Sequence, residues 1–416
     1  MQPAVPILTE KPRLLIILNR FVIGGQAVDT IPLAWYLKDF FDILILYGEK
    51  EKDEIEPSFL LERYKGLQLK KIKYLRRSVN PLIDVIAFFY VLYTIFKFKA
   101  DIVHTHGAKS GFVGRVAAWM AGVPVIIHTF HGHFFHSYFS KTVSGFIAII
   151  ERIIGKITTS AIALSSDQKA ELVEVYKVLP AQKIKIIQLG FAFDENNNDF
   201  DRSREAFKVK YGLLHNDVAI GIVGRIVPIK NHSFFVKAIQ QLLSQNTVNK
   251  PAFFIIGDGD IRPQVESELR QKSISFNNKG ITATNRVVLT SWVTDMYEVM
   301  TGLDIIALTS LNEGTPLSVI EAQFFKRPVV STNAGGVKNT MQDGVTGFVV
   351  EKNDLVTFCK KLNLLIDSKE MRTAMGEEGY KFAAEKFSKQ KEVSVTKDLY
   401  FTLLKQKGRL RGINNA

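Results

Sequence analysis

Short apolar runs alternate along this chain with longer segments whose apolar positions recur at helical spacing. In the first half the runs fall at residues 13–19, 41–47, 100–106, 123–128, 161–165 and 184–188. Helical patterns lie between them, at 29–40, 81–96 and 110–121. A polar, asparagine-rich stretch at 193–202 interrupts the rhythm and reads as a linker. The alternation restarts with runs at 219–223, 252–256, 287–290, 305–308 and 329–331, and with helices opening at Lys230-Asn231 and at Leu317. Strand and helix in succession predict parallel sheets covered by helices on both faces. The expected fold is therefore α/β. Two Rossmann-like parallel-sheet domains, residues 1–195 and 203–390, would face each other across a cleft between their strand carboxyl ends.

Residues 81–96 are apolar and aromatic, but Asp84 interrupts them and they fall short of the ~20 residues a membrane span needs. A basic run precedes them (Lys70, Lys71, Lys73, Arg76 and Arg77), and Lys97 and Lys99 follow. The plainer expectation is a core helix between two strands, with the basic run a solvated edge. The sharper one is an apolar and basic face resting on anionic lipid. The two are compatible, since a helix can bury one side and offer its flank.

The totals change this picture only in part. At 416 residues, 46% hydrophobic and 23% charged, the chain is globular and long enough for two cores. Its one cysteine, Cys359, leaves no disulfide framework or cysteine-rich metal site and suits a reducing cytoplasm. The apolar run after Lys11 and Arg13 is too short for a signal peptide, and no cleavage site follows it. A net charge of +13 predicts an anionic partner: nucleotide, nucleic acid or lipid surface.

Candidate chemistry gathers in loops. Gly24-Gly25 lies between the first strand and first helix, a weak Rossmann-like signal that a simple tight turn would also produce. Five histidines, His104, His106, His128, His131 and His133, sit at or beyond two strand ends. No acidic residues accompany them, so a metal site is not expected. His131 is the candidate for a substrate hydrogen bond, whereas His104 and His128 read as packed side chains. In the second half, Glu313-Gly314-Thr315-Pro316 turns from a strand into the helix at Leu317. Pro316 suits a first helical turn, and Gly314 permits a close backbone approach. Alone this turn is an ordinary helix start with a surface glutamate. Parallel strands would bring it to one edge with Arg225, Lys230 and the loop Gly257-Asp258-Gly259-Asp260. Two cations and free helix N–H groups would hold a diphosphate there. Glu321 would accept the hydroxyls of a ribose, and Glu313 a sugar hydroxyl.

These residues resemble the retaining glycosyltransferases of family 4, with the GT-B fold. The resemblance rests on Gly224-Arg225-Ile226-Val227-Pro228-Ile229-Lys230-Asn231, on Gly257-Asp258-Gly259, and on the run from Glu313 to Ala322 with its two glutamates eight apart. Ala334-Gly335-Gly336 and Asp343-Gly344-Val345-Thr346-Gly347 extend it. It implies a donor diphosphate pair in Arg225 and Lys230, a sugar contact at Glu313 and a ribose contact at Glu321. Gly314, Thr315, Pro316 and Leu317 complete the donor loop, and Gly24 and Gly25 lie beneath donor phosphates or acceptor. His131 would meet the donor sugar near the reacting carbon. The resemblance further implies retention of anomeric configuration, no cofactor or metal, domain closure around a nucleotide-diphosphate sugar, and a last helix (residues 391–416) crossing back toward the first domain. The sequence departs from the family at Lys326 and Ser291, where glycine is common, and at Phe324 and Phe325, where smaller residues stand.

The segment 129–136, with Phe134 and Phe135 behind the histidines, is similar to enzymes that build lipid-linked or surface polysaccharide. With the basic run it points to a glycan or polyprenyl-linked acceptor, an anionic membrane surface, and a cytoplasmic chain peripheral to the inner membrane face. Two rivals stand beside this reading. A nucleotide-sugar 2-epimerase shares the architecture but needs no acceptor. A basic nucleic-acid binder would need a recognition motif that is not found here, so no nucleic-acid partner is expected.

Overall fold

The structure, a computed structural model, describes residues 10–51, 54–76, 78, 80–131, 141–193, 199–245 and 249–410. Arg77, His133, Phe134, Phe135 and the asparagines of the expected linker lie outside the described residues. The chain divides into two compact units, Met1–Gly190 with Lys389–Ala416, and Phe191–Ser388.

The first unit is built on strands β1 (Arg13–Leu18), β2 (Asp42–Gly48), β3 (Gln68–Ile72), β4 (Ile102–His106), β5 (Val125–Phe130), β6 (Ser160–Ala163) and β7 (Ile184–Ile186). They form one parallel sheet in the order β3-β2-β1-β4-β5-β6-β7. Leu14, Leu15, Ile16, Ile17 and Leu18 are all fully buried, because helices cover both faces of β1 and leave no side for polar residues. Strand order reverses between β1 and β4, so the loops after those two strands open a crevice at the carboxyl edge. The basic run begins in β3, the edge strand, as the solvated-edge reading expects.

The helix Pro81–Phe98 corrects an expectation. Its start is well specified: the Asn80 side chain accepts from the Ile83 N–H, and Pro81 fills the first turn. Only Ala87, Val91, Thr94 and Ile95 are buried, however, so it is not a core helix but a covering helix with an apolar outer stripe. Periodicity could not reveal this, because both sides of the helix are apolar.

The second unit repeats the plan with β8 (Asp217–Val223), β9 (Lys250–Ile256), β10 (Phe276–Asn277), β11 (Val287–Leu289), β12 (Ile305–Leu308), β13 (Val329–Thr332) and β14 (Gly347–Val350). Its parallel order is β10-β11-β9-β8-β12-β13-β14, with the reversal between β8 and β12. The loops carrying Arg225, Lys230 and Glu313 leave those two strands, and so flank the switch point.

The stretch expected as a linker is anchored in the second unit at its described ends. Phe193 stacks on Phe324 at 5.6 Å and Phe200 on Phe325 at 6.2 Å, and the helix Phe200–Tyr211 starts inside it. The aromatic pair that departs from the family thus fills a cluster with the chain entering the unit. The unit boundary falls earlier, at Gly190, and the Phe191 N–H donates to the Phe387 carbonyl at 2.7 Å. The last helix, Lys389–Gln406, belongs to the first unit, with Tyr400 fully buried against Phe41.

Candidate functional site

Backbone contact builds the carboxyl edge of the second unit's sheet. Gly257 and Gly259 both have left-handed-side φ values, and a Cβ on Gly257 would lie 2.0 Å from the Gly224 carbonyl oxygen. The loops after β8 and β9 therefore touch backbone to backbone. The turn after β12 is held the same way. A Cβ on Gly335 would come 2.2 Å from the Glu313 oxygen, and one on Gly336 would come 1.7 Å from the Gly314 oxygen. The Gly336 N–H donates to the Glu313 carbonyl at 2.9 Å, and the Leu311 N–H to the Ile229 carbonyl at 2.8 Å.

On this frame Lys230 Nζ donates to Glu313 Oε1 at 2.6 Å, and Ser310 Oγ donates to the same oxygen at 2.5 Å. The expected phosphate cation and sugar carboxylate are thus one ion pair, largely withdrawn from solvent. Arg225 is half-buried just past Gly224. Gly314 and Thr315 are half-buried in the turn. Pro316 is the residue before the helix rather than inside its first turn, and Leu317 is the first helical residue. Among the described residues no side chain caps that helix, which leaves its leading N–H groups to a ligand or water.

Glu321 lies one turn further along. It is half-buried, and its carboxyl has no hydrogen-bonding or ion-pair partner among the described residues. Desolvation pushes its pKa up to about 7. A carboxylate placed this way is short of donors, which vicinal hydroxyls supply.

The departures have local explanations. Lys326 takes the left-handed φ of 55° that glycine usually supplies, and its ammonium pairs with Glu377 at 2.8 Å. Ser291 Oγ donates to Asp258 Oδ2 at 2.6 Å and so braces the loop after β9.

In the first unit, Gly24 has extended backbone and open space where a Cβ would be, while Gly25 starts the helix Gly25–Leu37. The fold itself does not demand glycine at Gly24. His131 follows β5, half-buried, with Nε2 2.7 Å from Nδ1 of His106, the last residue of β4. Desolvation lowers the pKa of both rings and keeps them neutral. His104 bridges Tyr400 Oη at 2.6 Å and Thr129 Oγ1 at 2.7 Å, with its pKa pushed down to about 3 by burial. His128 meets Thr105 Oγ1 at 2.8 Å. His104 and His128 are thus packed, and among the described residues no cluster of His, Cys, Asp or Glu is arranged for a metal.

The sequence reading missed a buried network behind these rings. Lys389 Nζ donates to Asp29 at 2.8 Å and to Glu392 at 2.6 Å, and the Gly190 N–H donates to Glu392 at 2.9 Å. Its only signal was a lysine and a glutamate three apart near the last helix, indistinguishable from a surface pair.

Residues 217–368 match the family described as glycosyl transferases group 1, and residues 23–195 match glycosyltransferase family 4. The chain is 29% identical over 332 residues to the UDP-Gal:alpha-D-GlcNAc-diphosphoundecaprenol alpha-1,3-galactosyltransferase of Escherichia coli, covering 80% of this chain and 83% of that one. It is 27% identical over 337 residues to the capsular polysaccharide biosynthesis glycosyltransferase CapM of Staphylococcus aureus, covering 80% and 84%. An Anabaena structure solved with UDP and glucose matches with a TM-score of 0.74 at 18% identity, over 94% of this chain and 100% of that one, a likeness of fold.

Proposed function

The chain belongs to the family 4 glycosyltransferases of GT-B fold, and from that premise we propose that it is a retaining hexosyltransferase taking its sugar from UDP and passing it to a lipid-linked glycan in cell-surface polysaccharide synthesis. The observation that carries the donor site is the pairing of Lys230 with Glu313 at the switch point, beside a carboxylate, Glu321, that lacks a partner among the described residues. The galactosyltransferase relative, whose name specifies a UDP-sugar and a diphosphoundecaprenol acceptor, supports the choice of both.

In this reading Arg225 and Lys230 hold the diphosphate, and the uncapped helix start at Leu317 adds N–H donors. Glu321 accepts from the ribose hydroxyls, Glu313 accepts from a sugar hydroxyl, and His131 contacts the donor sugar. Gly24 and Gly25 let phosphate or acceptor approach the backbone. The acceptor hydroxyl attacks the anomeric carbon on the face the diphosphate leaves. The bond from that carbon to the phosphate oxygen breaks, the new glycosidic bond forms, and the hydroxyl proton passes to the departing phosphate oxygen. Cations and backbone donors offset the growing charge, so no metal is needed.

Calorimetric titration with UDP, GDP and ADP in the presence of chelator, beside an Arg225→Ala/Lys230→Ala variant, tests the pocket. UDP alone should bind, and the variant should not bind it. Failure of all three nucleotides to bind the parent protein would remove the donor site, and the transferase reading with it. Anomeric analysis of product from a synthetic polyprenyl-diphosphate sugar acceptor then tests retention.

A further inference from the structure

We propose that the first unit docks on an anionic lipid bilayer through the outer face of three adjacent helices, Pro81–Phe98, Ala108–Met120 and Lys141–Ile157. The purpose of this docking rests on the lipid-linked acceptor proposed above, but the surface itself is independent of it.

On the first helix Leu82, Val85, Ile86, Phe89, Tyr93 and Phe96 are all exposed, Leu82 by 80%. Their spacing puts them on one stripe, opposite Ala87, Val91 and Ile95, which face the sheet. The second helix exposes Phe112, Trp119 and Met120, and the third Phe146, Ile149 and Ile153. The three helices lie side by side, fastened by Lys109 to Asp84 at 2.5 Å and by Arg115 to Glu151 at 2.8 Å. Among the described residues, they carry more of the large exposed apolar side chains than the rest of the chain together. Soluble monomers rarely leave so continuous an apolar face in water.

The charges choose the occupant. The only acids on these helices, Asp84 and Glu151, are both neutralised within the face. Lys97 and Lys99 end the first helix and Lys156 lies in the last turn of the third, exposed and unpaired among the described residues. An apolar floor with a cationic rim and no free acid complements anionic headgroups. Tyr93 and Trp119 have the amphipathic rings that sit at headgroup depth. A second copy of this chain would set lysine against lysine, which disfavours a dimer on this face.

The geometry fits a chain lying on the bilayer rather than crossing it. By length and composition Pro81–Phe98 could span a membrane, but its inner side chains are locked into the core beside β1 and β4. The second and third helices start at the sheet edge that carries His106 and His131, so the apolar face runs up to that edge. A lipid-anchored acceptor would reach the edge from the same surface.

Co-flotation of the full chain with vesicles tests the proposal, using phosphatidylcholine alone and phosphatidylcholine mixed with phosphatidylglycerol. The parent protein should float with the mixed vesicles and much less with the neutral ones. Phe89→Asp/Phe146→Asp should weaken partitioning by roughly 100-fold, about ten-fold per side chain. Lys97→Ala/Lys99→Ala/Lys156→Ala should weaken it several-fold and remove its salt dependence. Thermal unfolding and UDP affinity, read on the same preparations, should be unchanged in both variants. A parent protein that stays in the aqueous fraction overturns the proposal, as do variants that float like it. Concentration-dependent self-association abolished by Phe89→Asp would also overturn it, by assigning the face to a second copy. Loss of nucleotide binding with flotation intact would sink the transferase reading and leave the docking surface standing.

Discussion

Nδ1 of His106 lies 2.7 Å from Nε2 of His131, and one proton joins the two neutral rings. His106 Nε2 is buried without a partner among the described residues. If His131 donated, that nitrogen would carry a buried N–H with no acceptor, a rarer and costlier arrangement than an unused acceptor. His106 therefore donates, which leaves the His131 proton on Nδ1. His131 is then held in the tautomer and orientation that can donate to a substrate oxygen.

The first prediction follows from that pair. His106→Ala should lower kcat roughly 10- to 100-fold, the range for losing a residue that orients a reacting group. UDP affinity should stay within about two-fold, because His106 is not part of the donor pocket. His106→Asn, whose amide keeps a donor near the Nδ1 position, should recover part of kcat. Equal losses in the Ala and Asn variants would show a merely structural role.

The second concerns Lys230 and Glu313. Lys230→Ala removes a charge-assisted contact, and UDP binding should weaken by about 1.5–3 kcal/mol, or roughly 10- to 100-fold. Glu313→Gln releases Lys230 from its 2.6 Å partner, so UDP should bind as well or better while sugar transfer falls by ~10²–10³-fold. Calorimetry beside single-turnover kinetics separates the two effects. If Glu313→Gln lost UDP and transfer in parallel, Glu313 would be holding the nucleotide rather than the sugar.

The difference between what the sequence announced and what it hid is one of range. Gly224-Arg225, Lys230 and Glu313 were legible because each sits at the end of a strand whose apolar run marks it, and parallel strands send all such ends to one edge. Lys389 and Asp29 are 360 residues apart, and His104 and Tyr400 are 296 apart. No local pattern distinguishes those members from surface residues. The outer stripe of Pro81–Phe98 stayed one of two readings for a different reason: an apolar helix does not declare which of its sides the sheet will take.

The third prediction contrasts two glycines. Gly336→Ala would set a Cβ 1.7 Å from the Gly314 oxygen, so the turn must shift. It should cost about 1–3 kcal/mol in denaturant unfolding and weaken UDP binding. Gly24→Ala meets nothing within 4 Å and needs no unusual backbone, so stability should change by no more than about 0.5 kcal/mol. Its activity should nevertheless fall under the proposed function, in which phosphate or acceptor approaches the backbone there and would meet the added methyl group. An active Gly24→Ala enzyme would remove Gly24 from the site.

The buried pair of Lys389 and Asp29 gives a fourth. Both side chains are almost wholly removed from water; desolvation opposes the Lys389 charge, but attraction to Asp29 and Glu392 together with the hydrogen bonds to both holds the ammonium above its usual range. Lys389→Met would leave Asp29 buried without its counter-ion and should cost about 3–5 kcal/mol. Chemical denaturation of the full chain measures it. A loss under about 1 kcal/mol would mean that water replaces the ammonium at that position.

Glu321 sets function against stability. Its folded pKa, about 7, lies above the ordinary carboxylate value, so between the two the folded state binds more protons than the unfolded one. Stability should fall as pH rises through that window, and the full penalty should stand above pH 7. Glu321→Gln removes the penalty and should stabilise the protein by about 1–3 kcal/mol at pH 8, with little gain at pH 4. UDP affinity should run the other way in the parent, increasing from pH 6 to pH 8 as the carboxylate forms and accepts the ribose hydroxyls. In Glu321→Gln it should be weak and flat with pH. A variant that bound UDP normally would show that the desolvated carboxyl serves packing rather than the nucleotide. A variant both weaker in binding and more stable would show a carboxylate retained for its ligand at the expense of the fold.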